Sequence, residues 1–404
     1  MGVNVFPAVS GGASYSSQPP ASASSVLLDG QLVTASSITT SVTGTGAPWL
    51  LYANGAGTTT ITIAGTAYTV TAGLTVGTSA YTGSQSVTVA TTVLAPTTFT
   101  ASTMPSASAW NGVAYGNGYF VSVQSSGTTA GAYSTDGINW TASTMPNASL
   151  WTAVTYGNGY FVSIQQSGTT AGAYSTNGTT WTASTMPSAS YWYSVTYGLV
   201  SATPTFVSVQ SSGTTAGAYS TNGTTWTAST MPSASSWTAV TYGNGKFVAV
   251  AFGTTAGAYS TNGSTWTAST MPSASNWYGV AYGLIGATNY YVAVQGSGTT
   301  AGAYSTNGTS WTASTMPSSS SWIAVTYGNG YFVAVANGTT AGAYSTNGTT
   351  WTASTMPSSV GWQCVAYGNS KFVAVQGSST TAGAYFNTIA PVAYGIYNGA
   401  TVRA

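Results

Sequence analysis

Charged side chains are almost absent from this chain of 404 residues. Formal charges belong only to Asp29, Asp136, Lys246, Lys371 and Arg403, and the net charge is +1. Typical soluble domains are about a quarter charged. Three dispersed cations cannot neutralise a run of phosphates, so we expect no binding of nucleic acid.

Histidine and glutamate are missing altogether, and Cys364 is the single cysteine. Without histidine there is no Ser-His-Asp triad, and without a pair of carboxylates there is no glycosidase chemistry. No His/Cys/Asp cluster is present for a transition metal. We therefore expect a protein that is not an enzyme and has no cofactor.

Long apolar runs are also missing. No stretch approaches the roughly 18 apolar residues that a membrane span needs. The segment Met1–Ser10 has neither the basic nor the apolar part of a secretory signal. We expect neither membrane insertion nor export through a cleaved signal. Hydrophobic residues still make up 43% of the chain, which is enough to bury a large core.

From about residue 98 onward the chain is a tandem repeat. The string Thr-Met-Pro recurs with its methionine at Met104, Met145, Met186, Met231, Met271, Met316 and Met356. A spacing of 40 to 45 residues is the length of a propeller blade, a sheet of four strands. Asn-Gly pairs between β-rich runs predict tight hairpins within each repeat. The repeats therefore predict an all-β array.

The tryptophans of the repeats indicate how the array closes. First-strand tryptophans occur seven times, at Trp110, Trp151, Trp192, Trp237, Trp277, Trp322 and Trp362. Fourth-strand tryptophans occur six times, at Trp140, Trp181, Trp226, Trp266, Trp311 and Trp351. The segment Phe99–Thr103 has the sequence of the missing fourth strand. We predict a seven-bladed β-propeller over residues 98–385 that is closed by this N-terminal strand, with an open β-solenoid as the alternative.

The segment Ser134–Trp140 resembles the Asp-box, or BNR-type, repeat of sialidase-like propellers. Five later copies read Ser-Thr-Asn-Gly-x-x-Trp, with Asn in place of Asp136 and a spacing one residue shorter than the commonest Asp-box. The combination YGNGYFV…YSTNG..W is also similar to repeats of bacteriophage tail and virion-surface proteins. The resemblance implies the fold but no sialidase activity, because the arginine cluster and the Tyr/Glu pair are missing. We expect each Asn or Asp to bind nearby backbone N–H groups, and calcium is the less favoured alternative.

The rest of the chain lies outside the repeats. Residues 1–25 are rich in Gly, Ser, Ala and Pro and predict an extended arm. Strand-like runs over residues 26–97 predict a small β-sandwich-like module that anchors the protein and is able to form a homo-oligomer. Residues 386–404 are predicted to be a C-terminal tail.

Comparison of the repeats with one another gives the candidate binding residues. Most positions are near copies, but the residues on either side of the first-strand tryptophan differ. Tyr191, Tyr193, Asn276 and Tyr278 offer rings and amides there, which suit a neutral sugar. Neutral drift is the alternative account. Two longer hairpins, Gly198–Phe206 and Gly283–Tyr291, are expected to project from the opposite face.

These observations together favour a non-enzymatic virion-surface protein of a bacteriophage, of the tail-fibre or adhesin type. Residues 1–97 are expected to contact other virion structural proteins, while the propeller binds a host-surface glycan. A capsid head fibre or decoration protein and a secreted bacterial lectin are the alternatives.

Overall fold

The computed structural model describes residues 94–388 except 167–169 and 379, and, outside that range, residues 65–68 and the backbone of the strands given below. The chain divides into two compact units, with boundaries after residues 94 and 386. Every regular element among the described residues is a β-strand, which confirms the all-β prediction. Accordingly, this part of the chain has no helix long and apolar enough to cross a membrane. Residues 1–24 of the predicted arm lie outside the described residues.

Six strands precede the repeats: β1 (Ser25–Leu28), β2 (Gln31–Thr34), β3 (Ile38–Asn54), β4 (Thr58–Ile63), β5 (Thr66–Thr71) and β6 (Thr75–Ala90). The next seventeen are β7 (Thr100–Ser108), β8 (Trp110–Gly116), β9 (Tyr119–Gln124), β10 (Ala130–Ser134), β11 (Thr141–Thr144), β12 (Trp151–Gly157), β13 (Tyr160–Gln165), β14 (Ala171–Ser175), β15 (Thr182–Thr185), β16 (Trp192–Val200), β17 (Thr203–Gln210), β18 (Ala216–Ser220), β19 (Thr227–Thr230), β20 (Ser236–Gly243), β21 (Lys246–Phe252), β22 (Thr254–Ser260) and β23 (Thr267–Ser275). The last nine are β24 (Trp277–Ile285), β25 (Thr288–Gln295), β26 (Thr299–Ser305), β27 (Thr312–Gly328), β28 (Tyr331–Ser345), β29 (Thr352–Gly368), β30 (Lys371–Gln376), β31 (Thr380–Asn387) and β32 (Ala393–Asn398).

The repeats fold into blade-like antiparallel sheets. Strands β8 to β23 form four separate sheets of four strands, each paired in chain order. Strands β24 to β31 continue the pattern, but β27 and β29 each run from the fourth strand of one repeat into the first strand of the next. These strands therefore join in one nine-stranded sheet, which ends with β7 paired to β31.

In four of the seven repeats an Asn-Gly pair forms the hairpin between the first and second strands. Asn117 and Gly118 have φ values of 46° and 80°. Two successive positive φ values give the turn whose twist matches that of the flanking strands, and Asn and Gly adopt such values most easily. This local preference explains why the hairpin signal could be read from the sequence.

Side-chain oxygens hold the turn between the third and fourth strands. Ser134 Oγ accepts the N–H of Gly137 at 2.8 Å. Asp136 Oδ1 accepts the next two backbone N–H groups, both at 2.8 Å. In the second repeat Asn177 Oδ1 accepts the two corresponding groups at 3.0 and 2.9 Å. The prediction that Asn or Asp binds local backbone donors is confirmed.

The core lies between adjacent sheets and is built around the first-strand tryptophans. All seven are fully buried. Trp151, for example, packs with Val121 and Val123 of the preceding repeat and with Phe161 of its own. The indole N–H also donates to the carbonyl of Asn147, four residues earlier, at 3.3 Å. Truncating a buried Trp costs about 3–5 kcal/mol, so these residues dominate the packing.

A glycine at the end of each first strand admits a tyrosine from the next repeat. A Cβ atom on Gly116 would lie only 1.9 Å from Cγ of Tyr156, so no larger residue fits. The same contact recurs along the array, and Gly368 of the last repeat lies against Tyr115 of the first.

The first unit contains one mixed sheet, with the strand order β2-β1-β32-β3-β6-β4-β5. Strand β32 pairs in parallel with β1 and antiparallel with β3. The predictions for residues 26–97 and 386–404 differ from this arrangement in two respects. The strands form a single sheet where a sandwich would have two, and part of the supposed tail is one of its strands. Because β32 pairs with strands that are far from it in the sequence, no local pattern of residues predicts this pairing.

Phe99 provides a test of the strand that precedes the first repeat. It is 2% exposed and packs with Val333, Met356 and Trp362. The variant Phe99→Ala should lose about 3–5 kcal/mol of unfolding free energy, because a buried aromatic side chain leaves a cavity. Guanidinium denaturation measures this loss. The exposed neighbour Thr100 gives the control, Thr100→Ala, and equal small losses in both variants would contradict the packing.

Candidate functional site

One residue of each first strand is left out of the strand pairing. In the second repeat the register shifts between Trp151 and Ala153, so Thr152 is the extra residue of a β-bulge. The same shift follows the first-strand tryptophan of every other repeat. A bulge bends the strand and redirects a side chain, which places these residues differently from their neighbours.

The bulge residues of all seven repeats meet at one cavity of about 170 Å³. They are Asn111, Thr152, Tyr193, Thr238, Tyr278, Ile323 and Gln363. Residues one and two positions further along the strands complete the lining. Because the packed core does not fix their identity, these positions differ between repeats that are otherwise nearly identical.

Two tyrosines give the cavity an aromatic part. Burial raises the pKa of Tyr193 to about 12, and the nearby Tyr278 adds to the shift. Burial also raises the pKa of Tyr278. Both phenols therefore stay neutral at physiological pH and act as hydrogen-bonding groups with an apolar ring.

Two amides face the cavity from the first and seventh repeats. A Cβ atom on Gly377 would lie 3.1 Å from Asn111 Oδ1 and 3.2 Å from Gln363 Nε2, so both side chains lie over this glycine. The glycine leaves them the room that any larger residue would fill.

The polar groups of the cavity divide into two classes. Thr152 Oγ1 donates to the carbonyl of Trp192 at 3.0 Å, and Thr238 Oγ1 donates to the matching carbonyl of Trp277, so these hydroxyls brace neighbouring sheets. In contrast, the side chains Asn111, Tyr193, Tyr278 and Gln363 make no hydrogen bond to any described residue. Four neutral polar side chains are thus available to a ligand.

Cys364 is the only thiol at the cavity. Its Sγ lies 3.9 Å from the carbonyl oxygen of Val113, to which the thiol donates a weak hydrogen bond. Burial raises the pKa of the Cys364 thiol. Since the thiolate is the nucleophile, a thiol held in its protonated form is poorly reactive.

Charged side chains of the second unit do not line the cavity. Lys246 Nζ donates to the carbonyl of Asn307 at 2.9 Å, in a turn between third and fourth strands. Burial lowers the pKa of Lys371, and the nearby Asp136 carboxylate opposes that effect. Burial raises the pKa of Asp136, but hydrogen bonds led by those from Asn139 outweigh it and leave this pKa below its ordinary value. The cavity itself is neutral.

The structure separates the four residues that the sequence analysis selected. Tyr193 and Tyr278 line the cavity. Tyr191 and Asn276 precede the tryptophans and do not line it, and Tyr191 is 48% exposed. Asn111 and Gln363 directly follow Trp110 and Trp362, so they belong to the positions that differ between repeats. The sequence analysis did not select them, because their convergence depends on the bulge.

The two longer hairpins lie at the far end of the strands that begin at the cavity. Strand β16 starts at Trp192 and ends in the hairpin that presents Leu199, which is 51% exposed. Strand β24 similarly leads to Leu284, which is 50% exposed. These apolar side chains are therefore remote from the cavity.

Solved structures with a similar fold have little sequence identity to this chain. Virginiamycin B lyase from Staphylococcus aureus has a TM-score of 0.62 at 12% identity, covering 71% of this chain and 98% of that chain. A catalytically inactive histidine-to-alanine form of the lyase, with quinupristin, has a TM-score of 0.61 at 13% identity, covering 71% and 99%. YCF48 from Cyanidioschyzon merolae has a TM-score of 0.52 at 15% identity, covering 72% and 98%.

These neighbours are β-propeller proteins with repeated blade strands. The repeats together form a β-propeller. At such low identity the similarity shows the fold and nothing of the activity. No protein-family model and no curated protein matches the sequence of this propeller chain.

The environment of Tyr193 predicts a pH dependence of stability. The unfolded chain releases the phenolic proton near the ordinary pKa of 10, whereas the folded propeller holds it to about 12. Stability present below pH 10 is therefore lost between pH 10 and 12, by about 2–3 kcal/mol. Urea denaturation across this range should show a smaller loss for Tyr193→Phe. Ile323→Val is the control for altered packing, and equal losses in Tyr193→Phe and the unsubstituted protein would contradict the assignment.

Proposed function

We propose that this protein is a non-enzymatic virion-surface protein of a bacteriophage, of the tail-fibre or adhesin type, whose propeller binds a host-surface glycan. The observation that carries the proposal is the neutral cavity. Tyr193 and Tyr278 offer apolar rings with polar tips, and Asn111 and Gln363 offer unpaired amides. Sugars present the same mixture of apolar C–H faces and hydroxyl groups, so the two surfaces are complementary.

The lining also favours a neutral ligand over an anion. No Lys or Arg lies at the cavity to pair with a carboxylate or phosphate. An unpaired charge in a partly buried site carries a large desolvation cost. Neutral sugars should therefore bind in preference to sialylated or uronate-containing ones.

Binding without catalysis fits the chemistry of this cavity. Its lining residues include no carboxylate and no histidine, and its one thiol is held protonated. The structurally similar lyase has a form that is inactive after a histidine is replaced by alanine. The present chain contains no histidine at all, so that chemistry is not carried over.

We further propose that the propeller has seven blades and is closed by β7. Support comes from the junction between the last repeat and the first. Strand β31 pairs with β7, with Tyr385 opposite Thr100. The core cluster around Trp110 includes Val373 and Val375, which belong to the last repeat. Closure of this kind leaves no exposed sheet edge between the first and last repeats.

Attachment to the particle is assigned to residues 1–97, nearly all of which belong to the first unit, through contacts with other virion structural proteins. The repeats resemble those of virion-surface proteins, and the binding cavity lies wholly in the second unit, which leaves the first unit for attachment. The same unit is proposed to hold copies of the chain together.

Salt provides one test of the proposed binding mode. Screening acts on charges, and this propeller offers almost none. Adsorption to host cells should therefore change less than about twofold between dilute buffer and about 1 M salt. Cell-binding assays with labelled protein measure it. A steep loss of adsorption at high salt would remove the neutral-glycan proposal.

Substitutions in the cavity provide a second test. Tyr193→Ala and Tyr278→Ala should each weaken glycan binding by about tenfold or more, because each removes a ring and a hydroxyl from the site. Glycan-array binding of the purified protein measures the effect. Leu199→Ala is the matched control, since this exposed side chain lies at the opposite end of the strands. Unchanged binding by both tyrosine variants would contradict the proposal.

Immunogold electron microscopy places the protein on its native particle. Label at a tail tip or fibre supports the adhesin function. Label spread over the capsid indicates a decoration protein instead, and particles without label indicate a secreted lectin.

A further inference from the structure

One aromatic residue at the rim of the cavity breaks the pattern of the repeats. It lies at the end of the second strand. Its partner across the sheet is the residue immediately before the first-strand tryptophan. Phe252 occupies this position in the fourth repeat, opposite Ser236. The other six repeats have small or polar residues there, namely Ser125, Gln166, Ser211, Gly296, Asn337 and Gly377.

The hairpin itself does not need this phenylalanine. The sixth repeat has the same short connection, with Ala336-Asn337-Gly338 where the fourth has Ala251-Phe252-Gly253. Gly338 and Gly253 have nearly equal φ values of 72° and 71°, so the backbone turns in the same way. Asparagine is therefore compatible with this backbone conformation, and the turn does not explain why the fourth repeat has an aromatic ring at residue 252.

Phe252 continues the aromatic surface of the cavity outward. Its ring centroid lies 5.5 Å from that of Tyr278, with the planes at 72°, a favourable edge-to-face contact. Tyr278 in turn lines the cavity with Tyr193. Phe252 remains 39% exposed, so part of its ring is open to solvent. Aromatic side chains therefore run without interruption from the cavity to its rim.

The size of the cavity limits what it can enclose. At about 170 Å³ it is smaller than the roughly 300–1,000 Å³ of pockets that enclose drug-sized ligands. A single sugar ring is therefore the largest unit that we expect inside, and any attached units must lie outside. Their path over the fourth and fifth repeats crosses Phe252.

We infer that the site takes a chain of neutral sugar units, with one ring in the cavity and the next stacked on Phe252. This inference rests on the proposed glycan-binding function and specifies its ligand as an oligosaccharide. The apolar face of the second unit would cover the exposed part of the Phe252 ring, while its hydroxyl groups remain in solvent.

The test compares Phe252→Asn with the unsubstituted protein. Asparagine is the residue that the equivalent turn of the sixth repeat already has, so the variant should fold normally. The probe is a printed array of neutral mono-, di- and tetrasaccharides of glucose, galactose, mannose, rhamnose and N-acetylhexosamines. We expect binding of the longer members to fall about tenfold and binding of the single ring to change less than about twofold. Asn337→Phe is the reciprocal control and should give no gain.

The outcomes separate this inference from the proposed function. Loss of binding in Tyr278→Ala together with no length-dependent effect of Phe252→Asn would overturn the extended site and leave the cavity function standing. If the unsubstituted protein binds no member of the array, both fail. A change in sedimentation coefficient in Phe252→Asn, without a change in binding, would show that Phe252 contacts another copy of the chain, and it too would overturn the inference.

Discussion

The burial of an indole between adjacent sheets is the interaction on which the rest of this protein depends. Each first-strand tryptophan is fully buried and joins the core of its own repeat to that of the repeat before it. The strand pairing shifts directly after it, and the bulge residue turns away from the ladder. The same element that stabilises the contact between sheets therefore also positions the side chains of the cavity. The scaffold and the site cannot be separated at this point of the fold.

Outside that core the structure depends on neutral groups, because charged residues are almost absent. The turns between third and fourth strands rely on neutral oxygens such as Asn177 Oδ1, and each such hydrogen bond contributes only about 1 kcal/mol. Their number compensates for their weakness, because six of the seven repeats have this turn. The carboxylate of Asp136 in the first repeat raises the pKa of Lys371 in the last repeat, against the effect of burial. Two charges that remain partly solvated stabilise little, so the junction depends mainly on apolar contact, as the packing of Trp110 with Val373 and Val375 indicates.

Much of the propeller could be predicted from sequence because its signals are local and repeated. The Asn-Gly hairpins, the strand alternation and the Thr-Met-Pro spacing each report on a few neighbouring residues. What the sequence could not give depends on distant or three-dimensional relations. Strand β32 joins a sheet begun near residue 25, and nothing in Ala393–Asn398 identifies its partners. Likewise, the bulge decides that Tyr193 lines the cavity while Tyr191, two residues earlier, does not. Alternation along an ideal strand would place both on the same face.

Because the repeats are nearly identical, the positions at which they differ are informative. Packing fixes the tryptophans, the glycines that admit the next tyrosine and the turn oxygens, and these scarcely vary along the array. The bulge residues and the ends of the second strands are free of those constraints, and they do vary. Neutral drift predicts that substitutions at such positions are scattered among the repeats without spatial order. Tyr193 and Tyr278 instead line the same cavity, and Phe252 of the repeat between them packs against Tyr278 even though its apolar ring is partly exposed to water. An arrangement that sets aromatic groups on one side of the cavity and amides on another suits an asymmetric ligand that enters from one direction, as the end of a glycan chain does.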